Sequence, residues 1–210
     1  MTSRWLLAGL ILWLSTGCVQ QAPFTAVQDA VGQVTHADGF PSVTRNARPY
    51  ILDEASRLFT TDLIRTDNQS RLTIEFTGGQ VVHLDPNTQL LISSVEQRPG
   101  EHRYRFSLTS GSLMIEGHDA VPDRLTIRSS IAQVTTDSGS IWMGYDRNSP
   151  TLRIISLNNA SIIVSNDDGK VELTTAGQTT TVSPGSAPGA ITTWSPERIT
   201  RTISYYEQIQ

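Results

Sequence analysis

The feature that most limits the fold of this chain is a succession of short β-forming runs, each closed by turn residues, from Val31 onward. The clearest runs are residues 62–66, 71–76, 81–84, 90–95, 104–108 and 113–116. Others follow at 124–128, 132–136, 141–145, 151–156, 161–165 and 179–183. All are rich in Val, Ile, Leu and Thr, which suit a pleated, half-buried surface. Between them lie Gly78-Gly79, Asp85-Pro86-Asn87, Pro99-Gly100, Ser110-Gly111, Asn158-Asn159 and Asp167-Asp168-Gly169. Gly and Asn accept positive φ and Pro presets φ, so these stretches read as turns. Turn signals at intervals of roughly 8–12 residues leave no room for crossover helices. The expectation is an all-β fold: an antiparallel sandwich or roll, or a β-solenoid.

Leu72, Ile74 and Phe76 alternate with Thr73 and Glu75, which puts one face of that strand in the core and the other in water. Val82 and Leu84 make the same choice on the next run, with His83 pointing away. Burial favours a three-residue loop that sets Val82 opposite Phe76 and Leu84 opposite Ile74, since a one-residue slip inverts every side chain. The expected core includes Leu72, Ile74, Phe76, Val82 and Leu84, with Leu108, Leu113, Ile127, Val134 and Ile154. At the C-terminal end Ser195 can cap a helix, Pro196 fits its first position, and Ile199, Ile203 and Tyr206 fall on one face. A short helix is favoured there over a final strand.

The amino-terminal end has a different character. Arg4 precedes an apolar run over residues 5–14, and Leu14-Ser15-Thr16-Gly17-Cys18 follows. This stretch resembles a bacterial lipobox, with Ser15 standing where Leu is commonest. The resemblance implies cleavage before Cys18 and acylation of that residue. The competing reading is a transmembrane anchor with an incidental cysteine, but the run is about half the ~20 residues needed to span a bilayer. The expected organisation is a signal peptide at 1–17 and a lipidated cysteine with its tether at 18–28. A β domain at 29–190 and a C-terminal segment at 191–210 complete it. Ten tether residues reach at most about 35 Å, so the domain is expected to sit close to its membrane. Val19, rather than Asp, follows the cysteine. By resemblance to known lipoproteins, that places the chain at the outer membrane facing the periplasm in a two-membrane bacterium. Otherwise it belongs on the outer face of the cytoplasmic membrane.

Charge and size narrow the partners. The formal net charge is −4 and Lys170 is the only lysine, so there is no basic footprint for nucleic acid. Anionic headgroups are a poor partner for the globular part on the same ground. Cys18 is the only cysteine, which leaves no internal disulfide. A mature chain of this size buries roughly 70% of its unfolded surface and needs no metal to hold a core.

Seven short motifs in order give the chain a family resemblance. They are Val31-Gly32-Gln33-Val34, Asp62-Leu63-Ile64-Arg65-Thr66 with Ser70-Arg71-Leu72, and Gly78-Gly79-Gln80-Val81-Val82-His83-Leu84. Pro86-Asn87-Thr88-Gln89-Leu90, Leu108-Thr109-Ser110-Gly111-Ser112-Leu113, Val134-Thr135-Thr136 with Gly139-Ser140, and Ala176-Gly177-Gln178 follow. Across most of residues 29–185 the chain resembles a FecR domain, a bacterial extracytoplasmic all-β module. Familiar members are transmembrane regulators that sense a partner outside and control a sigma factor inside. Only Met1–Arg4 precede the apolar segment here, and little chain follows residue 190. The expectation is therefore that the fold carries over and the anti-sigma role does not.

No catalytic constellation is legible. Asp137-Ser138-Gly139-Ser140 is similar to an aspartic-protease turn, but that chemistry needs two carboxylates sharing a proton. A β-turn explains it as well. His36, His83, His102 and His118 have no metal-ligand spacing and read as surface residues. Gly185-Ser186-Ala187-Pro188-Gly189 has its serine one place too early for a nucleophile elbow. Asp67, Asp85, Asn87, Asp167 and Asp168 match no EF-hand and read as solvated turn residues. Trp142 reads as core, and Trp194 as packing for the C-terminal segment. The expectation is no catalytic residue, metal or cofactor, with Cys18 the one assigned site and the ligand-binding residues unassigned. The main functional reading is a non-enzymatic, membrane-anchored envelope lipoprotein that binds an envelope protein or polysaccharide. An accessory subunit of an extracytoplasmic signalling system is the first alternative, and an envelope hydrolase the second.

Overall fold

The computed structural model describes residues 29–117 and 123–207. They form two nine-stranded sheets with one helix laid on the outside. The chain steps back and forth between the sheets as it advances along them. β1 (Gly32–Asp38) lies in sheet A, and β2 (Ser42–Arg45) and β3 (Arg48–Ile51) form a hairpin in sheet B. β4 (Arg57–Leu58) returns to A and β5 (Leu63–Arg65) to B. The hairpin β6 (Arg71–Phe76) and β7 (Val81–Leu84) adds to A, and the long hairpin β8 (Gln89–Arg98) and β9 (Glu101–Ser110) adds to B. β10 (Ser112–Glu116) is in A, β11 (Asp123–Arg128) and β12 (Gln133–Thr136) in B, and β13 (Ile141–Tyr145) and β14 (Leu152–Ser156) in A. β15 (Ile162–Asn166) and β16 (Gly169–Leu173) close B, while β17 (Gln178–Val182) and β18 (Thr192–Thr193) close A before α1 (Pro196–Glu207).

Sheet A runs β18-β17-β14-β13-β10-β7-β6-β1-β4, and sheet B runs β16-β15-β12-β11-β9-β8-β5-β2-β3. The all-β sandwich reading holds. A trace of the solenoid reading survives in one place: β9 and β11 pair in parallel, with β10 crossing to the other sheet between them. The chain makes one coil there, and every other described ladder is antiparallel.

One core fills the space between the sheets. All ten residues expected to be buried are at most 1% exposed. Phe76 from sheet A meets Phe106 from sheet B with ring centroids 4.9 Å apart, and Tyr104 donates its hydroxyl to the Thr77 carbonyl at 2.9 Å. The β6–β7 register differs from expectation. The loop is Thr77-Gly78-Gly79, closed by Phe76 and Gln80, so Val82 pairs with Ile74 and Leu84 with Leu72. This is a slip of two residues, which keeps every side chain on its face. Apolar patterning cannot separate the two registers. Both glycines have positive φ, and a Cβ on Gly78 would lie 2.3 Å from the Tyr104 hydroxyl.

The motif residues that carry the family resemblance stitch the corners where the chain changes sheet. Asp62 is fully buried, accepts two hydrogen bonds from the Arg45 guanidinium at 2.7 Å, and accepts a third from the Phe59 amide. Thr66 donates to the Asp85 carbonyl at 2.6 Å and accepts from the Thr88 amide at 2.9 Å. Thr88 in turn donates to the Ser112 carbonyl and accepts from the Ser112 amide. Gly111 (φ 78°) passes so close that a Cβ would lie 2.4 Å from the Thr88 Cα. At the edge of sheet B, Asn46 and Ala47 both have positive φ and make a two-residue hairpin turn. Counting from the hydrogen-bonded Arg45–Arg48 pair, the amide of residue 49 would face outward, and that residue is Pro49. A proline there removes a donor that another strand could use.

Candidate functional site

The outer face of sheet A holds a row that includes three buried polar side chains, Thr73, His83 and Thr179. Outward side chains line up across it as Thr73, His83, Met114, Trp142, Ile155 and Thr179, in register from β6 to β17. α1 covers this row. Pro196 opens the helix as expected, and the amides of Arg198 and Ile199 bond to the Ser195 carbonyl. Ile199, Ile203 and Tyr206 turn inward and join Met114, Ile155, Leu157, Trp142 and Trp194 in a second apolar cluster. Trp142 thus packs under the helix and outside the main core, a correction to the sequence reading. Sheet A is covered on both sides, so an outward position can be as dry as an inward one. Trp194 packs the C-terminal segment as expected, with the Arg198 guanidinium 3.5 Å from its ring centroid.

Two hydrogen-bonded groups lie beneath and beside the helix. Tyr206 donates its hydroxyl to Asp85 Oδ2 at 2.6 Å and accepts from the Trp142 indole N–H at 2.8 Å. Ser112 donates to the same Asp85 oxygen at 2.6 Å. Burial, reinforced by the Asp85 charge, pushes the Tyr206 phenol far above its ordinary pKa, so it stays a donor. Alongside, His83 Nε2 lies 2.7 Å from Glu116 Oε1 and Nδ1 lies 3.1 Å from Thr73 Oγ1. A carboxylate only accepts, which places a proton on Nε2, while Nδ1 pairs with the Thr73 hydroxyl. The hydrogen bond from His83 holds the Glu116 carboxyl below the usual glutamate range, against the opposing effect of its partial burial. His83 is 3% exposed, which overturns its reading as a surface histidine. Strand alternation told which face it occupies, and α1, more than a hundred residues later, decides that the face is buried.

The other residues singled out in sequence stay apart. Asp137 is exposed and pairs with Arg124 at 3.3 Å, while the neighbouring Gly139 amide bonds to Thr136 Oγ1, which is turn chemistry. His36 lies 3.5 Å from both Asp38 and Glu54 at the surface. His102 sits in the long hairpin with its ring 6.3 Å from that of Tyr104. Asp67 accepts from the Gln69 amide and the Ser70 hydroxyl, which lower its pKa. Gly185 lies in a loop at positive φ. Among the described residues, no three His, Cys, Asp or Glu side chains gather in a way that could hold a metal ion. Cys18 and His118 lie outside the described residues.

A groove of about 490 Å³ opens where the corners after β7, β9 and β13 meet the end of α1. Asp85 forms part of its wall from the Tyr206 network, and Tyr205 reaches it from the helix.

Set beside known proteins, the middle of this sandwich matches a known family. The family profile described as FecR protein matches residues 62–159. That segment of the chain is a FecR domain. It covers β5 through β14, the middle of both sheets, and the flanking strands widen the sandwich on either side. The fold is similar to that of a candidate anti-sigma factor from Parabacteroides distasonis, in crystal structures at 1.65 and 2.50 Å resolution. The TM-scores are 0.54 and 0.53, at 12% and 13% identity, over 67% of this chain in both cases. The similarity spans 64% and 63% of the lengths of those two chains. No curated protein shows significant similarity to the chain.

Proposed function

We propose that this chain is a non-catalytic, lipid-anchored component of an extracytoplasmic signalling system, in which the FecR domain meets a partner in the cell envelope. The observation that carries the reading is the FecR match over the central strands, and the fold shared with a candidate anti-sigma factor supports it. These similarities favour the signalling alternative over a binder of envelope polymers with no signalling role. The anchor rests on the lipobox resemblance at Cys18, and the proposed site is the envelope face of a membrane. Support for a role without turnover comes from the motif residues themselves. Asp62, Thr66, Thr88 and Gly111 are committed to corner hydrogen bonds and close packing, and Asp137 is an exposed turn acid.

The test is a chromosomal deletion followed by transcript profiling. Loss of the chain should shift the regulon of one extracytoplasmic sigma factor, and wild-type protein should restore it. A Cys18→Ser form should lose palmitate labelling, leave the membrane fraction and fail to restore the regulon. Every such regulon unchanged in cells that express the chain would overturn the signalling role. Undiminished labelling of the Cys18→Ser form would overturn the anchor. Hydrolytic activity lost on Asp137→Asn in a folded variant would overturn the non-catalytic reading.

A further inference from the structure

The groove at the end of α1 carries charges that the fold does not use. Arg147, just after β13, has no hydrogen bond or ion pair among the described residues, and the Asn87 side-chain amide has no partner there either. Arg71, at the start of β6, donates to the Tyr205 hydroxyl and lies 5.3 Å from that ring's centroid. Its Nε is buried with no acceptor. Two arginines without a protein carboxylate thus line one opening of about 490 Å³, a volume within the ~300–1,000 Å³ range of small-molecule sites.

We propose that this groove binds a carboxylate-bearing saccharide. The planar guanidinium fork matches a carboxylate in a bidentate pair, which fixes orientation as well as charge. Asp85 and Asp146 share the groove, which disfavours a doubly charged phosphate more than a single carboxylate. Asp85 is turned toward Tyr206 and Ser112, and Asp146 Oδ1 accepts from the Asn148 amide. Their remaining lone pairs can accept ring hydroxyls.

A sugar suits the groove better than a peptide because of where the groove lies. It is built at the ends of β6, β7, β10 and β13, the middle of sheet A. An extended peptide gains affinity by adding to a free sheet edge, and none is available there. Recognition must come from side chains alone: the Arg147 fork with the Arg71 charge beside it, the Asn87 amide and the rings of Tyr145 and Tyr205. Flat rings beside hydroxyl acceptors are what a polyhydroxylated ring with one carboxylate requires. This chemistry is independent of the signalling role and would hold for a module with a different output.

The test uses the full chain purified in detergent micelles and isothermal titration calorimetry with tri-D-galacturonate. Saturable binding is expected. The methyl-esterified trisaccharide, which keeps the hydroxyls and loses the charge, should not bind. Arg147→Ala should weaken binding roughly tenfold or more, as expected for a lost charge-assisted pair, with an unchanged thermal midpoint. Arg105→Ala, on the outer face of sheet B, should bind like the parent. Absence of saturable binding, or equal binding of the ester, overturns the proposal. So does an Arg147→Ala chain that binds like the parent. Tri-L-glutamate or inorganic phosphate binding as tightly as the uronate overturns the saccharide assignment.

Discussion

The two outer faces of the sandwich are built from the same kind of strand and have different fates. On sheet B the outward row runs through half-buried Thr126 and Thr135 to exposed Ile163 and Glu172, and Ile163 is 39% exposed. On sheet A the outward row includes Ile155, which is 0% exposed because α1 lies across it. Two isoleucines therefore occupy equivalent outward positions, one wet and one as dry as the core. Facing outward is a property of the strand, whereas being outside is decided by what the rest of the chain lays on top. Sheet B spends its outer positions on Arg, Thr, Ser and Glu, and sheet A on Met, Trp, Ile and His.

The comparison can be broken most severely at Ile155. Ile155→Ala is expected to cost about 2–5 kcal/mol, the same range as Ile74→Ala in the main core, measured by chemical denaturation. Ile163→Ala should cost about 0.5 kcal/mol or less, because its partners are mostly solvent. Equal costs at the two positions would mean that α1 does not seal the face. A chain ending at Trp194 sharpens the point: the Ile155→Ala penalty should fall toward that of Ile163→Ala. Next in size is Tyr206→Phe. It removes the donor to the Asp85 carboxylate and the acceptor for Trp142, and should cost about 1–3 kcal/mol with the helix retained by circular dichroism. The smallest effect belongs to Glu116. Its folded pKa is depressed by His83, so its contribution is present above the ordinary glutamate pKa and lost as pH falls through the folded value. Glu116→Gln should therefore lower the thermal midpoint near neutral pH, and the gap from the parent should close in acid. A gap that widens in acid would refute the assigned polarity.

The pattern of what could be read in advance follows from this difference. β6, β7 and β13 were legible to the residue, because one face of each is strictly apolar and turn residues bound it. The helix was legible from Pro196 and the spacing of Ile199, Ile203 and Tyr206. Strands β2, β3 and β4 were not, because they are short and β3 presents Arg48, Pro49, Tyr50 and Ile51 to solvent with no buried partner face. β16, another edge, hides its period behind Lys170 and Glu172. His83 and Trp142 were placed on the correct strands but in the wrong surroundings. The hydrogen bond from Tyr206 to Asp85 spans 121 residues, and no local period encodes it. The candidate groove was dispersed for the same reason, since Arg71, Asn87, Arg147 and Tyr205 come from four separate segments.

The path of α1 also has a mechanical consequence. The helix begins beside β17, where the Trp194 amide bonds to the Gly177 carbonyl and Ile199 lies against Gly177. It ends with Tyr206 bonded to Asp85 after β7 and Tyr205 bonded to Arg71 on β6. Twelve helical residues measure about 18 Å, close to the ~19 Å across the four inter-strand steps from β17 to β7. α1 is a diagonal brace on an otherwise hinged panel. Strands held only by their ladders can shear or change twist cheaply, but here such a distortion must also stretch a rigid rod pinned at both ends. A pull that parts β17 from β6 is borne first by the pins at Gly177 and Asp85, and only after they yield by the ladders between.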